Sequence, residues 1–166
     1  MRMKRKTCII PDPIILMWTM SEADSHEHTA RRTQILQSSS NNCFVCGPGN
    51  PIGLGVTFRL DGEVCRAEFT PQAQHMGYDQ VTHGGIVFSL LDDVMANWIW
   101  LQGEQCFTGK AEIRYRAELP VDTPVRLEGR CLKRKGRLAQ MAGQVIGIED
   151  DFVFAEATAS FMIPAD

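Results

Sequence analysis

The chain has 166 residues, 44% hydrophobic and 22% charged, the size and composition of one ordinary globular domain. At this length it buries roughly 70% of its unfolded surface and needs no metal or disulfide staple to hold a core. Its net charge of −3 conceals a basic start: without Arg2, Lys4, Arg5 and Lys6 the balance is 13 basic against 20 acidic residues, or −7, which argues against nucleic acid as a partner.

From Met1 to Met20 a basic beginning leads into an apolar stretch, but Pro11-Asp12-Pro13 interrupts it and no small-residue cleavage site precedes Ser21-Glu22-Ala23-Asp24. A secretory signal is therefore not expected, and Met17 or Met20 is an alternative first residue. No run approaches the roughly 18 apolar residues of a membrane span, so the expectation is a cytoplasmic protein without membrane contact. Residues 21–42 are polar, with only Ile35 and Leu36 as large aliphatics, and residues 1–42 are read as a flexible tail. His26-Glu27-His28 falls in it as a chance cluster.

The folded domain is assigned to residues 43–166. Cys43 to Gly55 (CFVCGPGNPIGLG) is dense in Gly and Pro and reads as an ordered loop. Val56–Leu60, a turn at Asp61-Gly62 and Val64–Phe69 read as a hairpin, followed by an irregular stretch from Pro71 to Thr82. The apolar run Ile86–Leu101 has helix length and no internal Gly or Pro; with apolar residues on nearly all sides it must be buried all round. Four alternating runs follow: Cys106–Leu119, Val125–Lys133, Leu138–Ile148 and Phe152–Ile163. Their short turns suit antiparallel neighbours. In the first, Ala111, Ile113, Tyr115 and Ala117 alternate with Glu112, Arg114, Arg116 and Glu118, as in a half-exposed sheet. The fold class is α+β: one long central helix wrapped by a curved antiparallel sheet of about six strands.

Three features converge on the helix: His83-Gly84-Gly85 at its entrance, Asp92-Asp93 in its middle, and Thr108-Gly109 opening the next strand. An ionised carboxylate in a buried helix is costly unless paired, hydrogen-bonded or facing a cleft. Asp93 is read as the structural acid, bonded to Ser89 or Asn97 one turn away. Asp92 is read as the functional one, the alternative being a carboxylate satisfied by Ser89 or a partner-chain donor. At the entrance, free amides and the helix dipole suit a carbonyl oxygen becoming negative. Gly84 and Asp92 are eight residues apart, about 12 Å along a helix, too far to serve one carbonyl. A second helix running antiparallel alongside would bring the Asp of one chain to the glycine amides of another, so the spacing favours a two-fold dimer with composite sites.

The combination of CFVCG-x-x-NP-x-GL at Cys43–Leu54, HGG at His83–Gly85, LLD at Leu90–Asp92 and Thr108 before Ile113-x-Tyr115 resembles the hot-dog-fold acyl-CoA thioesterases of the PaaI-like kind. The likeness covers residues 43–163. It implies a helix wrapped by an antiparallel sheet, dimers or dimers of dimers, an acyl-CoA substrate hydrolysed to free acid and CoA, and no cofactor. By position, Gly84 would polarise the thioester carbonyl, with Gly85 beside it on the substrate. Asp92 would be nucleophile or general base, Thr108 would help hold its water, and His83 would brace the helix entrance. Several relatives carry Asn or Gln six residues before the HGG histidine, where this chain has Gly77; Gln80 is the nearby amide that could substitute.

Coenzyme A phosphates could meet the basic turn Lys133, Arg134, Lys135 and Arg137, with Lys135 and Arg137 as candidate contacts; a solvated hairpin tip explains the turn equally well. Phe88, Met95, Trp98 and Trp100 are candidates for an acyl pocket or for core. The six cysteines are read as reduced thiols, most of them in the core. Cys43-x-x-Cys46 lacks the second pair of a four-ligand zinc site, so no metal is assigned. A non-catalytic acyl-CoA-binding protein is the alternative function, and a hydratase fits HGG with Asp92 less well than hydrolysis does.

Overall fold

The computed structural model describes residues 40–165; the basic start, Cys8, the alternative starts and the His26-Glu27-His28 cluster lie outside the described residues. In chain order the elements are β1 (Arg59–Asp61), β2 (Val64–Phe69), a 3₁₀ turn (Ala73–His75), β3 (Met76–Tyr78), β4 (Val81–Thr82), α1 (Gly84–Trp100), β5 (Phe107–Tyr115), β6 (Val125–Lys135), β7 (Leu138–Gly147) and β8 (Val153–Met162). Six strands form one antiparallel sheet in the order β1-β2-β6-β7-β8-β5, and β3-β4 form a separate hairpin. The α+β architecture of one helix on a six-stranded antiparallel sheet is thus the one expected. Two details differ. The first turn is Gly62-Glu63, because Asp61 still pairs with Val64 and Gly62 supplies the positive φ of 59°. The stretch read as irregular holds the 3₁₀ turn and the β3-β4 hairpin, too short to show in the sequence pattern.

The helix begins at His83, whose Nδ1 accepts from the Gly85 amide at 2.8 Å, and closes at Leu101, whose amide donates to the Asn97 carbonyl. No residue from Ile86 to Trp100 is exposed, which accounts for its lack of a polar face. Leu90, Leu91, Val94, Met95 and Ile99 are fully buried against Leu127, Met141, Val145 and Phe161 of the sheet, each large side chain contributing about 1.5–3 kcal/mol by leaving water.

The seat of the helix is a pair of glycines. Gly129 of β6 and Gly143 of β7 are cross-strand partners. A Cβ on Gly129 would lie 2.5 Å from the Val94 carbonyl oxygen, and one on Gly143 would lie 3.1 Å from Met95 Cγ. At Gly129 the sheet meets the helix backbone directly, and at Gly143 it takes the side chains of Met95 and Leu91. On β8, Ala155, Ala157 and Ala159 continue the small-residue floor.

The Cys43–Leu54 loop is ordered by its own backbone: Leu54 donates to the Phe44 carbonyl at 2.8 Å and Val56 to that of Val45 at 2.9 Å. Of the five cysteines among the described residues, all free, only Cys65 is fully buried; Cys43, Cys46, Cys106 and Cys131 are half-buried. The four pack against the core at its edge, and three of them also line a cavity beside α1.

Candidate active site

Asp92 lies in the middle of α1, half-buried, and Thr108 donates its hydroxyl to Asp92 Oδ1 at 2.8 Å. The register of β5 on β8 shifts between Thr108 and Lys110, a bulge at Gly109. Bulges of this kind re-aim neighbouring side chains. Burial pushes the Asp92 carboxyl above its ordinary value and the Thr108 hydrogen bond draws it back.

Its neighbour is held differently. Asn97 Nδ2 donates to Asp93 Oδ2 at 3.0 Å and Cys43 Sγ approaches Oδ1 at 3.7 Å, while burial pushes the Asp93 carboxyl up. Asn97 is thus the one-turn partner, whereas Ser89 bonds the Gly85 carbonyl instead. The two adjacent acids are divided between two sets of partners, Thr108 for Asp92 and the Cys43–Cys46 loop with Asn97 for Asp93.

At the helix entrance, the peptide joining Gly84 to Gly85 is pinned at both ends. Its carbonyl accepts from the Tyr115 hydroxyl at 2.8 Å, and its N–H donates to His83 Nδ1 at 2.8 Å. The proton of the His83 ring therefore belongs on Nε2. Gly85 spends its amide on His83, so the Gly84 amide, which has no acceptor among the described residues, is the donor left for a ligand. It borders a cleft of about 370 Å³ with Tyr78, Val87 and Tyr115; Thr82, whose buried hydroxyl has no hydrogen-bond partner among the described residues, lines the same cleft.

Gln80 sits in the turn between β3 and β4 with φ 59° and uses its carbonyl to accept from Val121 at 3.0 Å. Gly77 packs closely against His83: a Cβ would stand 3.0 Å from His83 Cα, so any side chain there requires His83 to give way slightly. Lys135 and Arg137 flank Gly136 (φ 57°) at the β6-β7 turn. In that turn Arg134 pairs with Glu104 just beyond the C-terminal end of α1, so these cations sit at the opposite end of the helix from Gly84. The chain brings Asp92 to Thr108 and His83 to Gly85; it does not bring either pair to the other. Trp98 Nε1 bonds the Glu63 carbonyl and Met95 is core, so neither is free to line an acyl pocket. Tyr115 and Thr82 are among the polar groups at the cleft to which sequence reasoning assigned no role. Nothing in the pattern marks a strand tyrosine or a lone threonine as facing a helix entrance.

The family model for the Thioesterase superfamily matches residues 79–153. Among solved structures, a hypothetical thioesterase from Streptococcus pneumoniae TIGR4 with coenzyme A is similar at 15% identity and a TM-score of 0.62, over 67% of this chain and 90% of that one. A phenylacetic acid degradation-related protein from Ralstonia eutropha JMP134 is similar at 19% identity and a TM-score of 0.62, over 76% and 98%. Thioesterase superfamily member 2 of zebra fish is similar at 16% identity and a TM-score of 0.64, over 79% and 94%. The comparison with curated proteins returned no match. At these identities the structural likeness is one of fold. These structures share the hot-dog fold with this chain, and its residues 79–153 match the model of the thioesterase superfamily, the family to which the sequence motifs pointed.

Proposed function

We propose that the protein hydrolyses an acyl or aryl coenzyme A thioester, with Asp92 of one chain working opposite the Gly84 amide of a second. The observation that carries this reading is the division of labour along α1: a half-buried carboxylate held by Thr108 at 2.8 Å, and an unengaged amide at the helix start beside a cleft of about 370 Å³. They are about 12 Å apart on one rigid helix, so a composite dimer site reconciles the two. The thioester oxygen would lie on the Gly84 amide, where the helix dipole favours developing negative charge. Asp92 would attack the carbonyl or deprotonate the attacking water, and CoA thiolate would leave. Two facts about the S. pneumoniae protein support the assignment: it was solved with coenzyme A, and its alanine variants replace an aspartate and a threonine sixteen residues further on, the separation of Asp92 and Thr108 here.

The test is thiol release from a panel of aryl, short and long acyl-CoAs, with Asp92→Asn as the variant. Asn keeps size and polarity but cannot act as base or nucleophile, so kcat is expected to fall by about 10²-fold or more while the dimer persists on sizing chromatography. Full activity in Asp92→Asn overturns the mechanism. Gly77 is the observation favouring the second reading, a non-catalytic acyl-CoA-binding protein, because the chain carries no amide side chain at that position to hold water. Tight CoA binding without turnover across the panel would establish that reading instead.

A further inference from the structure

Beyond the catalytic reading lies a second cluster that it does not use. Cys43, Cys46 and Asp93 bring two sulfurs and a carboxylate oxygen within 4.8 Å of one another. The loop is built to do this. Gly47 donates to the Cys43 carbonyl at 3.0 Å, and a Cβ on Gly47 would lie 2.3 Å from the Cys43 nitrogen. Only glycine permits a turn this tight, and the turn faces both sulfurs toward α1. Asn97 donates to Asp93 Oδ2 at 3.0 Å and to the Asp93 carbonyl at 2.9 Å, which orients the carboxylate and leaves Oδ1 toward the sulfurs, at 3.7 Å from Cys43 Sγ. The cluster borders a cavity of about 280 Å³ that also carries Cys106 and Trp100 on its wall.

We infer that Cys43, Cys46 and Asp93 form a binding site for a thiolate-preferring divalent cation of the zinc class. Zinc takes sulfur at about 2.3 Å and carboxylate oxygen at about 2.0–2.2 Å in a tetrahedron, which places neighbouring ligand atoms roughly 3.5–3.8 Å apart; the Cys43–Asp93 separation already has this value. The three ligand atoms lie within 4.8 Å of one another, so closing the set takes about 1 Å. Thiol pairs select zinc over magnesium or calcium. Binding displaces one proton from each thiol to solvent, and the two thiolates and carboxylate, −3 together, are reduced to −1 by the ion. Asn97 supplies the outer hydrogen bond that metal-bound carboxylates require. The fourth position opens to the cavity, toward Cys106 or a solvent molecule. Asn97 Nδ2 also reaches Cys46 Sγ at 3.9 Å; the simpler role, in which thiols and amide merely satisfy a half-buried carboxylate, accounts for these contacts but not for two sulfurs and its oxygen gathering within 4.8 Å.

The ion would tie the Cys43–Leu54 loop to the residue next to Asp92, so its consequence is first structural. The test uses the full chain, reduced, with Zn²⁺ titrated against a chromogenic chelator and Co²⁺ as spectroscopic probe. Expected are uptake of about one Zn²⁺ per chain, a thiolate-to-cobalt charge-transfer band with tetrahedral d–d bands, and a zinc-dependent rise in Tm. Cys46→Ser and the isosteric Asp93→Asn should each weaken zinc by about a hundredfold or more while circular dichroism is unchanged. The inference is overturned if the reduced chain takes up no zinc, or if both variants bind it as tightly as the parent. Should a variant fail to fold, the parent's cobalt spectrum decides, since absence of the thiolate band excludes the site. Acyl-CoA turnover is not the readout, so the outcome is independent of the hydrolase proposal.

Discussion

Replacing Thr108 with valine removes one hydroxyl and keeps the shape and β-branching of the strand residue. The hydroxyl donates to Asp92 Oδ1 at 2.8 Å, and a hydrogen bond to a charged group is worth about 1.5–3 kcal/mol. Thr108 is exposed and Asp92 half-buried, so water recovers part of that, leaving about 1.5 kcal/mol. If the bond orients the carboxylate for attack, this becomes roughly a tenfold loss in kcat with KM little changed. The same 1.5 kcal/mol lowers Tm by about 3–6 °C. Steady-state thiol release measured well below Tm separates the two effects, and Thr108→Ser, which restores the hydroxyl, should recover most of the rate. A Thr108→Val enzyme with kcat within about twofold of the parent would refute the orienting role, whatever happens to Tm.

Three further outcomes are expected. Gly129→Ala forces a Cβ toward the Val94 carbonyl oxygen, 2.5 Å away; backbone cannot yield as a side-chain tip can, so a loss of about 2–3 kcal/mol and a fall in Tm of roughly 4–12 °C are expected by thermal denaturation, and an unchanged Tm would mean that the helix is not seated there. Tyr115→Phe deletes the donor that pins the Gly84 carbonyl; at about 1 kcal/mol turnover should drop about fivefold while CoA affinity, by calorimetry, holds, and an unaltered kcat would remove Tyr115 from the positioning of Gly84. Burial lowers the His75 pKa, and its Nδ1 accepts from the Gln72 amide at 2.9 Å. The unfolded chain therefore takes up the proton first: this contribution to stability is complete above about pH 6.5 and is lost as pH falls through it. Between about pH 7.5 and pH 5.5 the parent should lose more Tm than His75→Asn; equal losses would refute the assignment.

What was legible in the sequence was local. Helix and strands showed in their hydrophobic periods; helix spacing offered Ser89 or Asn97 as the partner of Asp93, and the family resemblance, not the spacing, drew Thr108 to the site of Asp92. What was not legible depends on elements distant in sequence. Asp93 accepts from Cys43 across fifty residues and completes a trio with Cys46, so the cysteine pair alone looked incomplete. Tyr115 reaches Gly84 from thirty-one residues away; the motif that contains it gave it no partner. Gly129 and Gly143 read as ordinary strand glycines until the register sets them side by side under the helix.

That glycine seat bears on the proposed chemistry. With Val94 carbonyl and Met95 pressed onto Gly129 and Gly143, α1 has no space to slide or tilt, and close-packed interiors do not deform continuously. The about 12 Å between Gly84 and Asp92 is therefore a fixed property of the chain, which no motion within one hot-dog domain can close. If Asp92 and the Gly84 amide act on one thioester, association of two chains supplies the missing half of each site, and the seat that makes the fold rigid is also what makes the single chain incomplete.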